Sequence, residues 1–188
     1  MVDLYKLIND FFLTSFNKKN IYNERSFQLE LTVYLRKVLP EYYVHIEKSK
    51  GSLRVNGNLS KKGGIDIAIF NDDKKEKYAV ELKYGAIDAG VPAAMFNFVE
   101  DVKVCEELKA YGFTDTCCVT LVNNSKFYKG DKQDGIYKYF RVEHSIYGVI
   151  EKHTAKGSGP DSYTLNRVHD FEWKDIPGQK EKYYVIRI

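Results

Sequence analysis

An α/β fold with a central mixed β-sheet flanked by helices is what this sequence predicts. Three observations lead to it. Helical and strand-like periodicities alternate between residues 3 and 122, in the order helix, three strands, helix, strand, behind one leading helix. The last of these strands is a largely apolar run, which suits a strand covered on both faces. Beyond Gly130 the pattern changes to short aromatic–polar alternations, which suit further β structure appended to the same core.

Asp3 to about Phe16 places Leu4, Leu7, Ile8, Phe11 and Phe12 at helical spacing, and Asn17 to Asn20 breaks the pattern. Asn23 suits the N-cap of a second helix that runs to about Val38 and is stopped by Pro40. Tyr42 to Ile46 reads as a strand. After a long Gly-rich connection come two β-type runs, about 65–70 and 77–83, whose joining turn is rich in Asn and Asp, a hairpin signature. Ala93 to Ala110 has a third helical pattern, ended by Gly112 as the residue after the cap. Thr116 to Leu121 is the buried strand. In the tail, Ile136 to Val142, Ile146 to Ile150 and Tyr183 to Ile188 read as strands, with 156–160 as a loop. We expect one domain over 1–188, with its core at about 22–122 and a β extension at about 130–188, because roughly 58 residues barely support a core alone.

Composition narrows the class. Hydrophobic residues at 44% and charged residues at 29% are ordinary for a soluble globular chain, and the aromatic share of 14% is high. A net charge of +3 does not by itself point to nucleic acid. Cys117 and Cys118 are adjacent on an apolar strand, so they point to opposite faces and make poor joint metal ligands. With Cys105 and no CxxC pair, the expectation is buried thiols in a reducing, cytoplasmic setting. No leader pattern and no 18-residue apolar run is present, so no membrane association is expected.

Three charged groups interrupt the apolar strands: Asp66, then Glu81 and Lys83. Burying unpaired charge is costly, so their position calls for a reason. Side chains alternate along a strand, which puts Glu81 and Lys83 on one face and Val80 and Leu82 on the other. Asp66 can reach the charged face from the partner strand, with Ile65, Ile67 and Ile69 opposite. Two nearby carboxylates repel unless a cation lies between them, and hard oxygen ligands suit Mg²⁺ or Mn²⁺. On the second helix, Phe27, Leu31, Tyr34, Leu35 and Val38 form the apolar stripe. Glu24 falls near the centre of that stripe and is our choice for a further acid. Glu30, at its edge, is the alternative, and Gln28 is a supporting polar group.

A helix with an acid, then Asp66, then Glu81-Leu82-Lys83 on a hairpin, then a helix and a strand, resembles the PD-(D/E)xK nuclease superfamily. The resemblance covers about residues 22–122 and implies the restriction-endonuclease-like αβββαβ core. It implies that Asp66 and Glu81 bind the metal, that Glu24 supports it, and that Lys83 orients or activates the attacking water. Ile65 stands where the motif's name has proline. The implied activity is metal-assisted phosphodiester hydrolysis with DNA as substrate, without a covalent nucleophile. A catalytically silent nucleic-acid-binding or protein-interaction module on the same fold is the alternative. Lys48, Lys50, Arg54, Lys61 and Lys62 populate an acid-free loop leading into the strand of Asp66, where they are expected to meet phosphate. Lys126, Lys129 and Lys132 form a second basic cluster, read as solvated, while Glu100, Asp101 and Lys103 either flank the site or form an exposed helix face, the second being the preferred reading. No Walker A motif occurs, so no nucleotide cofactor is expected. Cutting of both strands by a single-site enzyme leaves a homodimer open.

Overall fold

In the computed structural model, which describes residues 2–55, 63–85, 90–152 and 162–188, local sequence signals start the helices. Asp3 accepts from Lys6 N to open α1 (Leu4–Thr14). Asn23 and Ser26 cap each other's backbone at the start of α2 (Glu24–Val38), satisfying two otherwise orphaned N–H groups. α3 (Val91–Ala110) starts after Gly90, with Pro92 in its first turn. The strands are β1 (Tyr43–Lys48), β2 (Ile65–Phe70), β3 (Lys77–Gly85) and β4 (Asp115–Val122), then the short β5 (Ser145–Ile146), β6 (Val149–Glu151), β7 (Ser162–Thr164), β8 (His169–Asp170) and β9 (Lys174–Asp175), and finally β10 (Lys182–Arg187).

Six strands form one mixed sheet in the order β1-β2-β3-β4-β10-β9. β1, β2 and β3 form an antiparallel meander. α3 then crosses over, so that β4 lies parallel to β3, with Glu81 beside Cys118 and Gly85 beside Val122. A parallel neighbour needs such a crossover. β10 returns antiparallel to β4, so the C-terminal residues belong to the main sheet.

The two sheet faces carry different cores. On one face α1 and α2 cover Ile67, Ile69, Tyr78, Val80, Leu82, Cys117 and Tyr183. On the other, α3 and the tail cover Cys118, Val122, Tyr184 and Ile186, while Val104 and Leu108 of α3 pack on Ala68, Phe70 and Ala79. Among the described residues no helix is long and apolar enough to cross a membrane.

The tail departs from the expected strands. Residues 139–143 form a π-helical turn, and among the described residues of this stretch Ser145–Ile146 and Val149–Glu151 extend the chain as strands. Ile136, Tyr139 and Phe140 are the buried residues of that stretch. Their spacing of three and four is helical, although the intervening Tyr137 and Lys138 make the run look alternating.

Candidate functional site

β2 and β3 part company at the charged residues. Their ladder runs from Phe70↔Lys77 to Ile67↔Val80. One residue further on, Asp66 takes over with its side chain, its Oδ2 accepting from Leu82 N at 2.7 Å. The neighbouring backbone is tightly fitted. A Cβ on Gly64 would lie 2.7 Å from the carbonyl carbon of Glu47, where β1 is kinked into the left-handed region at φ 49. Gln28, buried on α2, ties this corner together by donating to Asp66 O at 2.7 Å and to Glu47 Oε1 at 3.1 Å. Ile65, expected opposite Asp66, instead packs with Leu53 and Val55 on the α3 side.

Glu81 and Lys83 face α3, as alternation requires, while Val80 and Leu82 enter the α1/α2 core. Glu81 is fully buried. Lys83 Nζ lies 3.0 Å from Asp101 Oδ2 and 3.7 Å from Glu24 Oε1. It also donates to Leu82 O at 3.0 Å. Glu24 itself is exposed at the first turn of α2, where its Oε2 accepts from Tyr84 N at 3.3 Å. Cys105 of α3 and Cys118 of β4 are buried beside Glu81 and Asp101. Burial pushes both thiols up from their ordinary pKa, and the charges of Glu81 and Asp101 add to the effect.

Asp66, Glu81, Lys83 and Glu24 therefore gather at one end of the sheet, with Gln28 beneath them. Glu30 does not join them; it lines a separate groove with Phe11, Ser15, Val33, Tyr34 and Lys37. Asp101 is the site residue that sequence reasoning undervalued. It is 2% exposed, not on an open helix face. The signal was present, since Phe98, Val99, Val102, Val104 and Cys105 leave little of the helix circumference polar around it. Glu100 accepts from Tyr163 OH at 2.6 Å, and Lys103 pairs with Glu106 and Glu107.

The basic loop goes elsewhere. Leu53 and Val55 are buried on the α3 face and draw residues 49–55 with them. Lys77 Nζ donates to Leu53 O at 3.3 Å and Lys74 Nζ to Ser52 O at 3.2 Å, at the turn end of the hairpin. Lys48 Nζ sits 5.7 Å from the Phe70 ring. Arg54 is exposed near Lys77, whose pKa is lowered first by burial and then by that guanidinium. Asp66 and Phe70 are four residues apart, about 13 Å along a strand. Ser52 to Arg54 thus lie toward the turn end of the hairpin, whereas Lys48 is paired with Ile65, next to Asp66, and Lys61 and Lys62 lie outside the described residues.

Glu24, Asp66, Glu81 and Asp101 share this end of the sheet with Lys83, and a surplus of negative charge suits a divalent cation. Among the described residues no three or more His, Cys, Asp or Glu side chains group closely enough to hold a metal ion. Mg²⁺ commonly uses only one or two carboxylates and fills its remaining positions with water and phosphate. The hard-oxygen pair Asp66 and Glu81 is compatible with that chemistry. Comparison with protein-family models, with curated proteins and with solved structures returned no match for this chain.

Proposed function

We propose that this chain is a divalent-metal-dependent nuclease of the PD-(D/E)xK type, hydrolysing phosphodiester bonds in DNA at the Asp66–Glu81–Lys83 site. The observation that carries the reading is the parting of β2 from β3 at Asp66, next to Glu81 and Lys83 on the neighbouring strand. The hairpin's ladder ends at its acids, so Asp66 turns its carboxylate to the Leu82 amide beside Glu81 at one end of the sheet. The helix, three strands, helix, strand order, with β4 parallel to β3, is the arrangement expected of a restriction-endonuclease-like core.

Asp66 and Glu81 would hold Mg²⁺ or Mn²⁺, with Glu24 in reach as a supporting acid. The ion would supply charge neutralisation at the phosphate and a more acidic water. Lys83 provides a fixed positive charge for the five-coordinate phosphorus of the transition state and the charge on its oxygens. Asp101 and Glu24 hold that ammonium on two sides. Gln28 fixes the backbone of Asp66, and the Leu82 amide fixes its carboxylate.

A second reading has its own support. Glu81 is fully buried and Lys83 is engaged with Asp101, which also suits a structural charge cluster in a catalytically silent nucleic-acid-binding or interaction module. Cleavage separates the two. Purified protein with Mg²⁺ or Mn²⁺ should nick plasmid DNA, and Asp66→Ala and Lys83→Ala should each abolish nicking with the folded circular dichroism spectrum kept, Lys83→Ala melting lower because it leaves buried Asp101 without its lysine. Calorimetric titration with Mn²⁺ should show binding that Asp66→Ala removes. Wild type and both variants nicking alike would overturn the site, and wild type neither binding Mn²⁺ nor cutting would favour the silent module.

A further inference from the structure

We propose that residues 126–141, and not the loop after β1, form the surface along which a single-stranded polynucleotide lies. The choice of a polynucleotide rests on the nuclease reading of the neighbouring site; the residues assigned here lie outside that site.

Position comes first. The segment leaves the sheet where β4 ends, and Asn123 N donates to Gly85 O at 3.1 Å. Gly85 is two residues past Lys83. A Cβ there would come within 2.9 Å of the Phe127 ring, so the base of the segment is seated directly against the site end of β3.

Its chemistry is a succession of cations over tyrosines. Lys129 and Lys182 lie 5.7 and 5.5 Å from the Tyr128 ring. Lys132 and Arg141 lie 5.6 and 4.1 Å from Tyr137. Lys138 lies 4.6 Å from Tyr139 and 5.9 Å from Tyr147. Tyr139 is buried, so the rings open to a base are Tyr128 and Tyr137, both half-buried, and Tyr147, 37% exposed. Basic groups interleaved with accessible rings serve phosphates and unstacked bases together. A duplex keeps its bases stacked internally and cannot use the rings, which selects a single strand. Asp131, Asp134 and Glu143 oppose this charge, and Glu143 bonds the Tyr147 hydroxyl. The five cations of the segment outnumber its two aspartates.

The segment is also held in shape before any ligand arrives. Arg141 donates to the carbonyls of Lys126 and Lys132 while lying on Tyr137. Gly130 leaves room for this clamp, since a Cβ there would stand 2.7 Å from Arg141 Nη1. A surface already ordered loses less entropy on binding.

Fluorescence anisotropy with labelled oligothymidine, in EDTA so that nothing is cut, tests the proposal. The triple variant Lys129→Ala, Lys132→Ala, Lys138→Ala should weaken binding at least tenfold and flatten the log K against log salt slope by about 2, at about 0.7 per lost cation. The triple variant Lys48→Ala, Lys50→Ala, Arg54→Ala should bind as wild type. Tyr147→Leu should weaken binding about fivefold or more, while Tyr147→Phe keeps it. Should the first triple variant melt early, the single exposed change Lys132→Ala should still lower the slope by about 0.7. Wild type that fails to bind, that prefers duplex, or that loses binding only through the β1-loop variant would overturn the proposal. Cleavage is scored separately: binding through this surface without cutting removes the nuclease reading alone, and cutting with unaffected binding in the variants of residues 129, 132 and 138 removes this one alone.

Discussion

At Asp101 a carboxylate sits 3.0 Å from the Lys83 ammonium inside a helix that is apolar around most of its circumference. Neither charge would remain there alone, because desolvation of a single buried ion costs more than packing returns. Asp101→Asn keeps the volume and removes the charge. Lys83 still has Glu24 at 3.7 Å and a partly open side chain, so the loss should be about 1–3 kcal/mol, below the cost of breaking a fully buried pair. Urea denaturation at an unchanged slope measures it. Adding Lys83→Met should recover part of the loss, since the double variant buries no orphan charge. A double-mutant cycle that gave no coupling energy would mean that the pair does not interact. On the nuclease reading Asp101→Asn should also lower cutting, because the lysine it holds faces the phosphate.

The elements divide by how local their causes are. α1, α2, α3 and β1–β4 were legible because a cap, a period or a turn of a few residues specifies each one, as Asn23 with Ser26 does for α2. Asp66, Glu81 and Lys83 were legible for a related reason, being charges set in apolar strands. Asp101 was masked by its neighbours Glu100 and Lys103, which give that turn of α3 a polar look. The direction of the loop after β1 depends on where Leu53 and Val55 find cover, a tertiary matter no local pattern encodes. β5 to β9 are too short to leave a period. A close approach between β1 and β2 gives a prediction at this scale. Gly64→Ala would drive a methyl group into the Glu47 backbone, at 2.7 Å from its carbonyl carbon. Backbone cannot yield as a side chain does, so about 2 kcal/mol should be lost, or roughly 4–8 °C in melting temperature. Gly51→Ala, whose nearest neighbour is Ser49 Oγ at 4.0 Å, is the control and should melt as wild type.

For the whole molecule the question is whether the tail and the α1/α2 side of the sheet unfold together. β10 joins them, because its alternate residues enter opposite cores. Tyr183 stacks on Phe12 of α1 with ring centroids 3.8 Å apart. Tyr184, next in the chain, packs on Phe171 and Trp173 at 4.4 and 4.9 Å. Glu106 of α3 ties the tail down a second time, accepting from the backbone of Asn166 and Arg167 and meeting His169 Nε2 at 2.8 Å. Opening either core thus exposes one face of β10 and weakens the sheet that the other core is built on. Trp173 is the one tryptophan of the chain and lies in the tail, its Nε1 donating to Phe140 O. Its fluorescence therefore reports the tail, while far-ultraviolet circular dichroism reports mainly α1, α2 and α3. In urea the two signals should trace one coincident transition, as a single cooperative unit requires. A fluorescence transition at distinctly lower urea would instead make the tail a separately melting unit, with β10 peeling from β4 before the helices are lost.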